Sequence, residues 1–187
     1  MNIFFLDKDP VKSAQMCVDR HCVKMVLELY QQLGSALRRH GATDNDMPLT
    51  KSGNPLKGAY PNHPCTLWCG DSRENFKWAS NHAIALAEEY TWRYGKTHAC
   101  EAGIHKMANM RNMIPEGKMT PPAQAMPEEY RNEDPVVAYR DYYFYDKRLS
   151  IDCSWNKTRS SPEWWNRMLV LEELTQQAQD LSMGYGQ

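Results

Sequence analysis

Four chemically active side chains recur at helical spacing near the start of the chain: Cys17, His21, Lys24 and Glu28. Intervals of four, three and four residues place them on one face of a helix, where neighbouring side chains can interact. A histidine has an ordinary pKa of about 6.5 and can act as acid or base near neutrality. We therefore expect His21 to be catalytic, with Lys24 and Glu28 beside it. The alternative is a polar row at the edge of the core, in which Lys24 and Glu28 form an ordinary surface pair.

Cationic and aromatic side chains accompany this face. Arg20 precedes His21, and a row of cations at the edge of a core suits an anion such as phosphate. The residues expected to bind a nucleotide through its phosphate are Arg20, His63, Arg73 and Arg140. The residues expected to stack on a base are Trp68, Tyr130 and Tyr139.

The segment 139–148 alternates tyrosines with cations, a composition that suits base stacking and phosphate contact. A core stripe at helical spacing explains several of the tyrosines equally well. The cations that such a stripe leaves unexplained are Arg140, Lys147 and Arg148.

A metal site is a further alternative, because His63, Cys65 and Cys69 could be three zinc ligands. Their spacing contains no CxxC pair, no HExxH motif and no zinc-deaminase signature. Reduced, buried cysteines explain the same residues. We expect no cofactor and keep zinc as the alternative.

The chain has 187 residues, with 22 Lys and Arg against 23 Asp and Glu, which gives a formal net charge of −1. This balance argues against a protein that coats nucleic acid, because non-specific affinity comes from neutralising phosphates. No stretch approaches the roughly 20 apolar residues of a membrane helix, and the first residues show no secretory signal. We expect a cytoplasmic protein that does not associate with a membrane. Its six cysteines are then expected to be reduced.

Helical signals dominate the chain and predict a mostly α fold. Cap residues, proline openings and apolar periodicity predict helices over 10–41, 135–149 and 162–181, and one that starts at Asp71 or Ser72 and stops at Gly95. Residues 3–6 are expected to form either a short buried strand or a plug. We expect one compact domain, 1–187, with its core in 1–181. Two long functional loops, 43–64 and 114–134, are expected to cover one end of the first helix.

Several motifs, taken in order, resemble a family of small, mostly uncharacterised proteins of tailed bacteriophages. The motifs are MNIFFLDKDPVKSAQ, DRHCVKM, NHPCTLW, SRENFKW, EYTWRYGKTH, AMPEEYR and YRDYY, and the resemblance spans most of residues 1–165. The resemblance implies a protein of the cytoplasm of an infected bacterium, and it implies no particular chemistry.

More remotely, the chain is similar to the phage pyrimidine-dimer DNA glycosylases of the endonuclease V type. This resemblance rests on His63 with Thr66 and an aromatic, on MPEEYR at 126–131 and on YRDYY at 139–143. Those glycosylases are compact helical proteins that cut the glycosidic bond of a damaged pyrimidine with their N-terminal amine as nucleophile. The resemblance implies a helical enzyme that acts on DNA.

Two positions depart from the pattern of these glycosylases. Their catalytic helix has an arginine, then the essential glutamate, then a second arginine three residues later, and here Arg20, His21 and Lys24 take those places. Position 2 is Asn2, where those enzymes have a small residue, and methionine is usually retained before asparagine. Both departures count against an imine-forming mechanism.

We therefore expect an enzyme that acts on a nucleobase or its N-glycosidic bond, in DNA or in a deoxynucleotide, as glycosylases do in DNA modification or repair. DNA or a nucleotide is the expected partner. Two alternatives stay open. One is a non-catalytic phage accessory or counter-defence protein that binds a nucleotide or a host partner, and the other is a small zinc-dependent enzyme.

Overall fold

The computed structural model describes residues 1–155, 157 and 159–184, which form one mostly helical domain, as the sequence predicts. The helices are α1 (Pro10–Met16), α2 (Asp19–Arg39), α3 (Pro64–Asp71), α4 (Arg73–Tyr94), α5 (Glu101–Ala108), α6 (Pro135–Asp141), α7 (Arg148–Ser150) and α8 (Glu163–Gly184). A π-helical turn, Tyr142–Lys147, joins α6 to α7. One isolated antiparallel bridge pairs Leu49 with Pro55.

The long first helix predicted from the sequence is two helices, α1 and α2, and this corrects the prediction. Cys17, between them, is extended, with φ −65° and ψ 138°. The N–H of Val18 donates to the hydroxyl of Tyr143 at 3.1 Å, and the N–H of Asp19 donates to the carbonyl of Ser154 at 2.9 Å. In a continuous helix these two N–H groups would donate to carbonyls of the preceding turn. Here they donate to residues distant in the sequence.

Arg93, in the last turn of α4, holds the break between α1 and α2 from the other side. Its buried guanidinium donates to the carbonyls of Gln15 at 3.0 Å and Cys17 at 2.7 Å. It also lies 3.1 Å from the carboxylate of Asp19 and 3.0 Å from that of Glu89. Because the last carbonyls of a helix have no partner within it, these contacts satisfy the end of α1.

Two short helices, α3 and α5, were not predicted from the sequence. α3 begins at Pro64, directly after His63, whose ring nitrogen Nδ1 accepts the N–H of Cys65 at 3.2 Å. This is the same opening, a capping residue followed by proline, that marks α1 and α6. The start of α3 was not predicted because its N-cap residue is a histidine, and helices more often begin after Ser, Thr, Asp or Asn.

The remaining helical predictions are confirmed with changed details. α4 begins as expected, and of the two expected starting residues Ser72 is its cap, with its hydroxyl accepting the N–H of Asn75 at 3.2 Å. Asp71 ends α3. The third predicted helix contains the π-helical turn at 142–147, and the fourth is α8.

Residues 2–6 form a buried plug and no strand. The side chain of Asn2 accepts the N–H groups of Ile3 at 2.8 Å and Phe4 at 3.1 Å, and the amide of Gln32 donates to the Asn2 carbonyl at 3.0 Å. The side chains of Asn2 and Gln32 thus satisfy backbone groups that would pair with a neighbouring strand if this segment belonged to a sheet.

α4 packs against α1, α2, α3 and α5, and α2 packs against α3, α4 and α5, so α4 shares the central place that the sequence predicts for the first helix. The largest fully buried side chains include Tyr139, Tyr143, Phe76, Phe144, Ile3, Leu6 and Met25. Among the described residues, none of the helices combines the length and the apolar surface that a membrane span requires.

Candidate functional site

A polar cavity of about 220 Å³ opens where the N-terminal segment, the middle of α2 and the π-helical turn meet. Its wall includes Phe4, His21, Lys24, Glu28, Tyr142 and Lys147. The three residues expected to be catalytic, His21, Lys24 and Glu28, therefore lie on one wall. The spacing on α2 explains this arrangement, since the three side chains share a helix face.

Glu28 is held between positive charges. One of its carboxylate oxygens lies 3.2 Å from Nζ of Lys24, one turn earlier on α2. The other lies 3.7 Å from the α-amino nitrogen of Met1 and accepts the N–H of Asn2 at 3.2 Å. The Glu28 side chain is 12 % exposed and that of Lys24 is 65 % exposed. The carboxylate thus sits inside the polar cavity, while the ammonium reaches the solvent.

Positive charge predominates on the described wall of the polar cavity, where Lys24, Lys147 and the amino group of Met1 accompany Glu28. The Nζ of Lys147 lies 2.8 Å from the carboxylate of Asp146 and 4.4 Å from the ring centre of Tyr142. Burial opposes the charge of Lys147, but these two contacts outweigh it and raise its pKa. Such a wall suits an anionic ligand.

His21 is a neutral part of this wall. Its Nδ1 lies 2.7 Å from the hydroxyl of Tyr143, and its ring stacks on Phe4 with centroids 4.3 Å apart. Burial, reinforced by the charges of Lys24 and Lys147, lowers the pKa of His21 to about 3. The imidazole is therefore uncharged near neutral pH. The structure thus differs from the sequence-based expectation of a group that titrates near neutrality.

Phe4 completes the aromatic side of the polar cavity with a strained backbone. Its φ is +43°, in the left-handed region, which costs an aromatic residue roughly 1–3 kcal/mol. Its ring stacks on that of His21 and lies 6.4 Å, centre to centre, from the ring of Tyr142. Backbone strain of this kind concentrates at ligand sites. No signal in the sequence identified Phe4.

Lys147 and Tyr142 were expected in the tyrosine-rich segment, but not beside Lys24. The π-helical turn brings both to the wall of the polar cavity, opposite α2. The sequence contained this signal only as an alternation of aromatic and cationic residues. The sequence did not show that this segment faces His21, Lys24 and Glu28 across the polar cavity.

Three expected phosphate-binding residues lie off the wall of the polar cavity. Arg20 is exposed on α2, and Arg73 begins α4, where its N–H donates to the carbonyl of Pro115 at 2.8 Å. His63 caps α3, and burial followed by the amino group of Met1 lowers its pKa.

Arg140 and two of the expected stacking residues, Trp68 and Tyr139, contact other parts of the protein and do not line the polar cavity. The guanidinium of Arg140 donates to the carbonyl of Leu6 at 2.9 Å and pairs with Asp7 at 3.5 Å. Trp68 and Tyr139 are buried in the core and leave no ring face for a base. For these two residues the expectation of base stacking is corrected, because each lies on the face of its helix that packs against the core.

Tyr130 lies closer to the polar cavity than the other expected stacking residues. Its ring centre is 5.6 Å from that of Tyr142, which lines the cavity. The loop 114–134, which carries Tyr130, also contributes Ala125 to the wall.

The loop 43–64 borders a different cavity, of about 430 Å³, along the other flank of α2. Its wall is mostly apolar and includes Leu27, Leu49, Leu56 and Cys100. The two loops therefore lie at separate cavities, and the expectation that they jointly cover one end of the first helix is corrected.

The described residues contain no group of three or more His, Cys, Asp or Glu side chains arranged to hold a metal ion. The thiol of Cys69 instead donates to the amide oxygen of Gln32 at 3.7 Å, and that of Cys65 lies 3.8 Å from the hydroxyl of Tyr139. All six cysteines are free thiols, and within the described part of the chain His63, Cys65 and Cys69 do not form a metal site.

Comparison of the chain with protein-family models, with curated proteins and with solved structures finds no match.

Proposed function

We propose that this protein is an enzyme that acts on the N-glycosidic bond of a nucleotide, in DNA or in a free deoxynucleotide. The observation that carries the proposal is the position of Glu28. Its carboxylate, largely shielded from solvent, lies 3.2 Å from the ammonium of Lys24 inside a cavity with further positive charge. A carboxylate in a cationic, partly enclosed site can stabilise positive charge on a sugar and move a proton.

Binding is the first step of the proposal. Lys24 and Lys147 attract the phosphate, and Phe4 and Tyr142 offer apolar contact to the base where they line the cavity. Enzymes that act on a base within DNA extrude it into a pocket. A cavity of about 220 Å³ is on the scale of one base, so the same site serves an extruded or a free nucleotide.

Hydrolysis is the second step. Water forms a bond to C1′ of the deoxyribose as the bond from C1′ to the base nitrogen breaks, and the bonding electron pair leaves with the base. Glu28 takes a proton from the water, and its charge stabilises the oxocarbenium-like transition state. Lys24 gives a proton to the departing base and recovers one from Glu28, 3.2 Å away. The net reaction adds one water across the bond.

His21 and Tyr143 are positioning residues in this scheme. With its pKa lowered to about 3, His21 stays neutral and adds no positive charge beside the sugar. In the glycosylases that the chain resembles, the place of His21 holds a glutamate. Glu28, two turns further along α2, is the carboxylate that we assign to the reaction.

Binding tests the proposal first. Thermal shifts are measured with deoxynucleoside monophosphates, the matching nucleosides and a short oligonucleotide. We expect the monophosphates to stabilise the protein more than the nucleosides, and Lys24→Ala and Lys147→Ala each to remove this difference. Lys96→Ala, on the exposed surface after α4, is the matched control and keeps it. Equal shifts for nucleoside and monophosphate would contradict a phosphate-binding role for this wall.

Salt dependence separates a single nucleotide from a polymer. Each phosphate contact on a single strand contributes a slope of about −0.7 to the dependence of log affinity on log salt concentration. With two lysines on the wall of the polar cavity, we expect a shallow slope, equivalent to roughly one or two contacts. A steep slope for the oligonucleotide that survives both lysine substitutions would place nucleic-acid binding elsewhere on the protein.

A further inference from the structure

The last helix, α8, leaves the domain after its first two turns. Trp164 and Trp165 are buried, and Leu169 is half-buried. From Val170 to Met183, every side chain is exposed, over a helical length of roughly 20 Å at about 1.5 Å per residue. A helix of this length is marginal in water without a surface to pack on.

The exposed part of α8 carries an apolar row at coiled-coil spacing. Intervals of three, four and three residues connect its members, as at the a and d positions of a heptad. We call this row the apolar seam, and its members are Leu171, Leu174, Ala178 and Leu181. The three leucines are 62 %, 55 % and 63 % exposed. An apolar groove of about 350 Å³, bordered by Arg167, Val170 and Leu171, extends the seam toward the domain.

Charged side chains avoid the flanks of the apolar seam. The positions that flank it, e and g of the heptad, hold Val170, Thr175, Gln177 and Ser182. The acidic residues Glu172, Glu173 and Asp180 fall at b and c, away from the seam. In an antiparallel pair of identical helices, each flanking position meets its own counterpart, so a charge at e or g would repel its copy. An uncharged flank therefore favours a second copy, which meets no repulsion.

The direction of α8 is fixed by contacts at its base. Glu172 accepts from both terminal nitrogens of Arg148, which also lies over the ring of Phe144 with 4.0 Å to the ring centre. This pair lowers the pKa of Glu172, so the contact persists at neutral pH. The seam is thus presented in one orientation.

We propose that α8 pairs along its apolar seam with α8 of a second copy, so that the protein is a homodimer in solution. The pairing buries the three exposed leucines and supports the helix where the domain does not. None of the four residues of the apolar seam lines the polar cavity.

Sedimentation equilibrium of the full chain tests the dimer. We expect a mass of twice the 21.7 kDa chain at tens of micromolar protein. Leu174→Glu introduces a charge at the centre of the apolar seam and is expected to weaken the dimer by at least about tenfold. Gln179→Glu adds the same charge on the outer face of the same helix and is the matched control, expected to remain dimeric.

Folding is checked by thermal unfolding of both variants, because Leu174 and Gln179 are exposed and neither change should alter the domain. Three results would overturn the proposal. These are a wild-type protein that stays at the single-chain mass up to about 1 mM, a Leu174→Glu protein that dimerises as well as the wild type, or a Gln179→Glu protein that is equally weakened.

Discussion

The Nδ1 atom of His21 lies 2.7 Å from the hydroxyl of Tyr143, and the same hydroxyl oxygen accepts the backbone N–H of Val18. One buried hydroxyl thus joins the π-helical turn to the start of α2. The polar cavity lies between these two elements, so its shape depends on this contact.

Replacing Tyr143 with phenylalanine should leave two buried polar groups without a partner, the N–H of Val18 and the imidazole of His21. We expect a loss of roughly 1–3 kcal/mol in the free energy of unfolding. Urea denaturation measures it. The control is Tyr145→Phe, at an exposed position of the same turn, which should change stability little. Equal effects of the two substitutions would show that the hydroxyl of Tyr143 has no special structural role.

Stability should fall as the pH drops from 7 to 5. Burial lowers the pKa of His21 to about 3 and that of His82 to about 4, from 6.5 in an unfolded chain. Between these values the unfolded chain binds more protons than the folded one. The stability contribution is therefore complete above pH 6.5 and declines below it, by up to about 1.4 kcal/mol per pH unit for each histidine.

Urea denaturation at several pH values checks this dependence. Burial also lowers the pKa of His63 and His98 and raises that of Asp141, so the share of a single histidine is read from a comparison of the wild type with a variant. His21→Asn removes one of the two groups and should make the slope shallower. An unfolding free energy that is constant from pH 7 to 5 would contradict buried, neutral imidazoles.

The sequence predicted the mostly helical fold because helix openings and apolar stripes are local signals. Asp9 with Pro10 and Asp134 with Pro135 begin helices as expected. The break at Cys17 was not predictable in this way. It depends on Arg93 and Tyr143, which satisfy the backbone there from distant parts of the chain.

The part of the candidate site that depends on local spacing could also be predicted from the sequence. His21, Lys24 and Glu28 share a helix face, and that relation is visible in their spacing. Phe4 and Lys147 reach the polar cavity only through tertiary packing. Aromatic residues also serve the core, so nothing in the sequence distinguished the buried Tyr139 from a stacking residue.

Arg93 should be among the most sensitive positions for stability. Its buried guanidinium makes contacts with two carbonyls and two carboxylates, and lysine cannot reproduce that geometry. We expect Arg93→Lys to cost roughly 1–3 kcal/mol, because one ammonium cannot supply all the hydrogen bonds that the guanidinium gives to the carbonyls of Gln15 and Cys17. Glu89 keeps its second partner, Arg159. Arg167→Lys, at an exposed ion pair on α8, is the control and should be nearly neutral. Similar losses for both variants would show that the buried contacts contribute little.

The six cysteines should react in two groups. Cys17, Cys22, Cys65 and Cys69 are buried, whereas Cys100 and Cys153 are half-buried. Burial raises the pKa of Cys17 and Cys22 to about 12, so their thiols stay protonated and unreactive. We expect native alkylation at Cys100 and Cys153 first, identified by peptide mass spectrometry. Unfolding without reductant should expose all six thiols, and a shortfall of two would reveal a disulfide.

The most direct measurement is the release of free base. The wild type and two variants are incubated with deoxynucleoside monophosphates and with ultraviolet-irradiated oligonucleotides, and the products are separated by liquid chromatography. We expect the wild type to release base from at least one substrate. Glu28→Gln should bind that substrate but release its base at least about 100-fold more slowly. Glu88→Gln, exposed on α4, is the control and should keep full activity. Binding without release by the wild type, or full activity of Glu28→Gln, would contradict a glycosidic-bond enzyme built on Glu28.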